Sequence, residues 1–214
     1  MAGTTVDENN IVYKTLQQVV NEAGFHFSLE QVLTICAGKE KLTAIKDLLA
    51  FAGTIYDEPS LDTLYQDFVE KLSTAYANFD VKPQAGAEKL FKSLKEKNIL
   101  VVLNTGYNKS TAQNILQKLG WEAGMQIDAL VTASDVNNNR PKPDMILLAM
   151  KQFALSDASE VMKVGDSIID IEEGKNAGCR ITVGITTGAH NYGQLASAHP
   201  TSIINHLSEL LVLL

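Results

Sequence analysis

The sequence has little cysteine, no long apolar run and no surplus of positive charge. The two cysteines, Cys36 and Cys179, stand far apart without metal-ligand spacing. That excludes a disulfide framework and a thiolate metal centre, and it predicts buried free thiols in a reducing cytosol. Eighteen Lys and Arg against 25 Asp and Glu leave a net charge of −7, which provides no field for nucleic acid. No stretch approaches the roughly 20 apolar residues that cross a bilayer. The opening Met1–Glu8 carries neither a basic segment nor an apolar core, so no leader is expected. The four histidines, His26, His190, His199 and His206, are scattered without ligand spacing and read as surface or loop residues. The only tryptophan, Trp121, reads as packing. These absences predict a soluble cytoplasmic monomer or homodimer acting on something small, with no membrane or nucleic-acid partner.

The 214 residues suffice for one α/β domain and a smaller appendage. Residues 9–80 read as all-helical. Ile11, Val12, Leu16, Val19 and Val20 form one apolar stripe that ends at Gly24. Ser28 to Gln31 resembles a capping box that opens a second helix, which Gly38 breaks. Leu42, Ile45, Leu48 and Leu49 mark a third helix, and Leu61, Leu64, Phe68, Leu72 and Tyr76 a fourth. After Pro83 the character changes. A charged helix over 87–97 leads into the continuous apolar run Ile99–Leu103, as expected of a parallel strand buried on both faces. Strands at 129–132, 161–164 and 180–185 then alternate with helices at 110–113 onward, 143–153 and 168–177, and a short closing helix ends the chain. Alternation of this kind predicts a doubly wound, Rossmann-like, mostly parallel sheet. The expected division is an α/β core over 1–8 and 82–214 with an inserted helical cap over 9–81.

Candidate chemistry gathers at the carboxyl ends of these strands, where open α/β sheets bind ligands. The run Val161–Val164 breaks at Gly165 into Asp166 and, one helical turn on, Asp170, with Ser167 between them. Two acids there offer oxygen ligands to a hard cation such as Mg²⁺, and the plain alternative is a turn with an aspartate N-cap. Asn104-Thr105-Gly106 supplies a hydroxyl and glycine-turn amides suited to a phosphoryl oxygen, or it is a simple strand-to-loop turn. Arg140, Pro141, Lys142 and Pro143 form a stiff segment that could hold a cation against an anion, or an exposed loop. Gly3-Thr4-Thr5 forms a fourth such turn. Each feature alone is weak, but the four in this order converge on one edge.

The combination resembles the haloacid-dehalogenase-like hydrolase superfamily. Thr105 matches its hydroxyl motif, Arg140 its basic motif and Gly165–Asp170 its acidic motif. The opening Met-Ala-Gly-Thr-Thr-Val-Asp-Glu resembles the phosphonatase-like branch, that of the phosphonoacetaldehyde hydrolases. The resemblance implies Mg²⁺ at Ala2, Asp166 and Asp170, catalytic roles for Thr105 and Arg140, and substrate contacts at Gly3, Thr4 and Gly106. Ala2 stands where phosphatases of the superfamily carry a general-acid aspartate. Lys41 aligns with the cap lysine that forms a Schiff base in phosphonatases. Its plain alternative is a solvated lysine beside Lys39 and Lys46. Ala37 and Ala44 replace a methionine and a histidine of the branch, which favours a related phosphonate or phosphorylated carbonyl compound over phosphonoacetaldehyde itself.

One departure bears on activity. The superfamily's nucleophilic aspartate ends an apolar central strand immediately before the position of Met1, and neither feature is within these 214 residues. The expectation is a start placed downstream of the true one, two neighbouring strands with unpaired backbone groups, and a chain that as given is poorly folded and hydrolytically dead. The alternatives are a general small-metabolite phosphatase and a catalytically silent binding protein. A dehalogenase is disfavoured, because the pair Asp166 and Asp170 implies a metal.

Overall fold

A computed structural model describes residues 1–54 and 57–214. Strand β1 (Val6–Asp7) leads into four helices, α1 (Ile11–Glu22), α2 (Leu29–Cys36), α3 (Lys41–Phe51) and α4 (Glu58–Asn78). Val12, Leu16, Val19 and Val20 of the stripe read from the sequence are buried in α1, with Ile11 partly so, and α1 packs against α4. Ser28 caps α2 with a full capping box, in which its hydroxyl accepts from the Gln31 amide and the Gln31 side chain accepts from the Ser28 amide. Asp57 caps α4 ahead of Pro59, whose missing N–H costs nothing in a first turn. After α4, β2 (Lys82–Pro83) pairs antiparallel with β1, so the two ends of the helical segment are tied together.

The remaining elements alternate. They are α5 (Ala87–Glu96), β3 (Val102–Thr105), α6 (Lys109–Leu119), β4 (Ala129–Thr132), α7 (Asp144–Gln152), β5 (Met162–Gly165), α8 (Ile168–Ala177), β6 (Ile181–Ile185), α9 (Tyr192–Ser197) and β7 (Ser202–Ile204). Strands β3 and β4 are parallel, with Thr105 opposite Thr132. Strands β5, β6 and β7 form a parallel trio. The mixed α/β architecture with parallel strands is as expected.

Three details differ from the sequence reading. The third strand lies later than the run Ile99–Leu103, because the main chain of Val101 is engaged by Asp128 and the ladder begins at Val102. Asn104 and Thr105 therefore belong to the strand itself. The chain ends in a 3₁₀ turn over Leu207–Val212 rather than an α-helix. Elements β1, β2, α9 and β7 are too short for a periodicity to register in the sequence.

Among the described residues no ladder joins β3 to β5. Between them runs an apolar cavity of about 470 Å³, lined on one side by Val101 and Leu103 and on the other by Met162 and Val164, with Met145 and Leu207 also in its wall. The main-chain nitrogen of Met1 lies at this cavity, 3.4 Å from the carbonyl oxygen of Asn104.

Candidate active site

The turn after β5 carries Asp166 into a buried position. Its Oδ1 accepts from the Thr4 hydroxyl at 2.9 Å and its Oδ2 from the Ala189 amide at 2.8 Å. Two glycines make room for this carboxylate. A Cβ on Gly3 would lie 2.3 Å from Oδ2, and one on Gly188 would lie 2.1 Å from it. Gly3 also has φ of +74°, which L side chains rarely adopt, and its carbonyl accepts from the Thr187 hydroxyl at 2.7 Å. Burial first, and the charge of Asp170 second, raise the proton affinity of Asp166.

Asp170, in the first turn of α8, faces the same space. Its Oδ2 accepts from the Ser167 hydroxyl at 2.6 Å, and its Oδ1 lies 3.0 Å from both Arg140 and Lys163. Burial works to raise its carboxyl, but Arg140 and then Lys163 outweigh that and hold it below the usual range.

Arg140 does not stand free toward solvent. Nε donates to Glu173 at 2.9 Å, the NH2 nitrogen to the Asn104 side chain at 2.7 Å, and the NH1 nitrogen to the Gly38 carbonyl at 3.4 Å. Glu173, fully buried, also takes the Lys163 ammonium at 2.7 Å and both bonds from the Asn104 amide at 3.0 Å. Asp170, Glu173, Arg140, Lys163 and Asn104 thus form one hydrogen-bonded network beneath the edge. Replacing Glu173 by leucine leaves two buried cations short of an acceptor and should cost about 3–5 kcal/mol, read as a lowered urea midpoint. A destabilisation under 1 kcal/mol would contradict the pairing.

The helical segment closes over this edge through the loop between α2 and α3. A Cβ on Gly38 would meet the Ser167 hydroxyl at 2.4 Å, and one on Gly106 would meet the Lys39 carbonyl at 2.7 Å. The Gly38 amide donates to the Tyr13 hydroxyl at 2.9 Å. Thr105 is buried, and its hydroxyl accepts from the Tyr107 amide at 3.3 Å. Lys41 is buried rather than solvated. Its ammonium donates to the Lys39 carbonyl at 2.6 Å and lies 5.4 and 5.3 Å from the ring centroids of Tyr13 and Tyr107. Burial lowers its pKa to about 8.

The sequence-predicted residues Ala2, Gly3, Thr4, Thr105, Gly106, Arg140, Asp166 and Asp170 therefore lie around one edge, with Lys41 under the helices above it. Sequence reasoning missed Asn104 as a side chain of the network, along with Lys163, Glu173 and Gly188. Glu173 follows Asp170 by three residues, a spacing that puts both on one helix face. Lys163 interrupts an otherwise apolar buried strand, which was a second available signal. His190, read as surface or loop, lies in a loop but is buried. Its Nδ1 accepts from the Ile168 amide at 3.0 Å. Among the described residues no three His, Cys, Asp or Glu side chains converge to hold a metal. Cys36 is buried and Cys179 half-buried, both as free thiols. No helix among them is long and apolar enough to cross a membrane.

A buried acid also lies near Lys41. Glu8 accepts from the Tyr76 hydroxyl at 2.9 Å and from the Val12 amide at 3.1 Å, and burial raises its pKa to about 7. Its folded pKa exceeds its unfolded value of 4.5, so the folded state holds the proton that the unfolded state loses. Stability should fall as pH rises from about 4.5 to 7, by on the order of 3 kcal/mol. Chemical denaturation at pH 5 and pH 7 checks this, and Glu8→Gln should remove most of the slope.

Acids, a hydroxyl and cations thus gather at one strand edge of a parallel α/β core. The description "haloacid dehalogenase-like hydrolase" matches residues 1–183, and the chain belongs to that family. Among curated relatives, phosphonoacetaldehyde hydrolase of Parabacteroides distasonis is 34% identical over 139 residues, covering 64% of this chain and 51% of the relative. The enzyme of that name from Bacillus cereus is 30% identical over 141 residues, covering 66% and 52%. The chain spans about half the length of the curated relatives it matches. A solved phosphonoacetaldehyde hydrolase-like protein from Oleispira antarctica shares the fold with a TM-score of 0.84 at 23% identity, covering 99% of this chain and 88% of its own. A hydrolase from Pseudomonas syringae does so with a TM-score of 0.86 at 20% identity, covering 99% and 93%.

Proposed function

We propose that this chain is a Mg²⁺-dependent, phosphonatase-like hydrolase of a small phosphonate or phosphorylated carbonyl compound, with α1–α4 as a cap over the strand edge. The observation that carries the reading is Lys41, a buried lysine whose pKa is lowered to about 8 between two tyrosine rings, set above a pair of buried acids. An amine needs to shed its proton to attack a carbonyl, and burial favours that. Its condensation with an aldehyde releases water and gives an imine. Protonated, the imine accepts the electron pair of the carbon–phosphorus bond as phosphorus passes to a nucleophile. A phosphomonoesterase has no use for such a lysine, and Ala2 offers no general acid for an alkoxide leaving group.

Mg²⁺ fits the donor set in kind. Asp166 and Asp170 offer oxygen only, and the charge of Asp170 disfavours ionisation of Asp166, a repulsion that a hard cation between them would offset. The raised proton affinity of Asp166 comes first from burial and second from the charge of Asp170, and a bound cation would oppose both. Asp166, Asp170 and the main chain at Ala2 would hold the ion, which supplies charge neutralisation for an incoming phosphoryl group. Thr105, the Gly106 amide and the Gly3–Thr4 turn bind that group's oxygens in this reading.

All three carboxylates at the edge are already engaged, and that favours a second reading, a catalytically silent binding protein. The hydrolase reading puts the attacking carboxylate at the end of a further strand in the gap between β3 and β5. Its support is the apolar lining of that gap and the two unjoined parallel edges that face it. Phosphate release from carbonyl phosphonates, compared with simple phosphomonoesters with and without Mg²⁺, tests the assignment. Faster turnover of simple esters would overturn the substrate class, and binding of phosphate ligands without turnover once the strand is supplied would favour the silent protein.

A further inference from the structure

We propose that Glu8 and Tyr76 are positioning residues for Lys41 that act through Tyr107, an inference that rests on Lys41 being the reactive amine. The Tyr76 hydroxyl lies 2.9 Å from Glu8 Oε2 and 2.8 Å from the Tyr107 hydroxyl, so the three side chains form one buried chain. With Glu8 ionised, Tyr76 donates to Glu8 and Tyr107 donates to Tyr76. The three residues come from different parts of the fold. Glu8 precedes α1, Tyr76 sits near the end of α4, and Tyr107 follows β3 directly after Thr105 and Gly106.

Tyr107 is the shared part. Its ring forms one wall beside the Lys41 ammonium, and Tyr13 forms the other. Tyr76 meets Tyr107 edge-on at 6.3 Å between centroids, which sets the tilt of that wall. The bond between Tyr76 and Tyr107 also joins the helical segment to the sheet, so the amine and its aromatic wall are fixed as one unit. Other charged or titratable groups acting on Lys41 are Cys36, Glu40 and Arg140. Those acting on Glu8 besides Tyr76 are Lys41 and Asp166.

Tyr76→Phe removes the hydroxyl at the centre of this chain and little else. The Lys41 ε-carbon resonance should titrate near 8 in the unaltered protein. In Tyr76→Phe the freed ring admits water, and the midpoint should rise by about one unit, cutting the neutral amine at pH 7 about tenfold. Reductive trapping of glycolaldehyde at pH 7 should fall by about the same factor at Lys41 and stay constant at the exposed Lys92, which serves as an internal control. Glu8→Gln keeps an acceptor for Tyr76 but loses a charge that favours the ammonium, so its midpoint should stay or fall. Should Tyr76→Phe not fold, Tyr107→Phe breaks the same bond from the other side. An unchanged midpoint in the folded variant would overturn the positioning role. A shifted midpoint without trapping at Lys41 in the unaltered protein would leave the positioning intact and sink the amine chemistry.

Discussion

Placing five or six apolar residues that end in aspartate directly before Met1 is expected to stabilise the protein by several kcal/mol and to switch on Mg²⁺-dependent hydrolysis. Among the described residues, strands β3 and β5 each pair on one side, and their unjoined edges flank an apolar cavity. An extended segment running parallel to both would satisfy N–H and C=O groups on two edges at once. Each fully buried valine, leucine or isoleucine adds about 1.5–3 kcal/mol, against an ordering cost of about 1–2 kcal/mol per residue. With ladder bonds on both sides the balance is favourable. The terminal aspartate would emerge beside Met1, at the edge that holds Asp166 and Thr105. A raised urea midpoint and slowed amide exchange in Val102–Thr105 and Met162–Gly165 check the packing, and phosphate release in Mg²⁺ checks the chemistry. An unchanged midpoint would mean that the cavity does not take a strand.

Lys41→Ala in the protein so extended is expected to lower turnover of a carbonyl phosphonate by at least roughly 10²–10⁴-fold, the scale of a lost proton-transfer group, because without the amine no imine forms. Turnover of simple phosphomonoesters should change little, because nothing in such a leaving group calls for an amine. The split follows from placement. The Lys41 ammonium donates to the Lys39 carbonyl and lies between the rings of Tyr13 and Tyr107. Lys41→Arg separates charge from amine chemistry, since it keeps a cation between Tyr13 and Tyr107 but cannot form an imine. It should therefore behave like the alanine variant. Equal losses on both substrate types would show that Lys41 supports the fold of the cap rather than the reaction.

Much of this site was legible in the sequence, for identifiable reasons. Asp166 and Asp170 stood out because Gly165 breaks an apolar run immediately before them. Thr105 and Arg140 stood out through their order along the chain. The helices α1 to α4 announced themselves by long apolar stripes and by the Ser28 capping box. What stayed hidden depends on contacts distant in sequence. Glu173 shares a helix face with Asp170, but its role shows only once Arg140 and Lys163 are seen to converge on it. Gly188 becomes necessary only because Asp166 packs against it. The burial of Lys41, and its two tyrosine walls, follow from how α3 lies on the loop after β3. No periodicity of α3 could report that.

The central claim is that Lys41 is the reactive amine. The direct measurement is borohydride reduction of the protein with a small phosphono-aldehyde at neutral pH, followed by peptide mapping. Lys41 is expected to be modified, and to be the site that prior addition of inorganic phosphate with Mg²⁺ protects. Modification spread over the exposed lysines with Lys41 intact would contradict it.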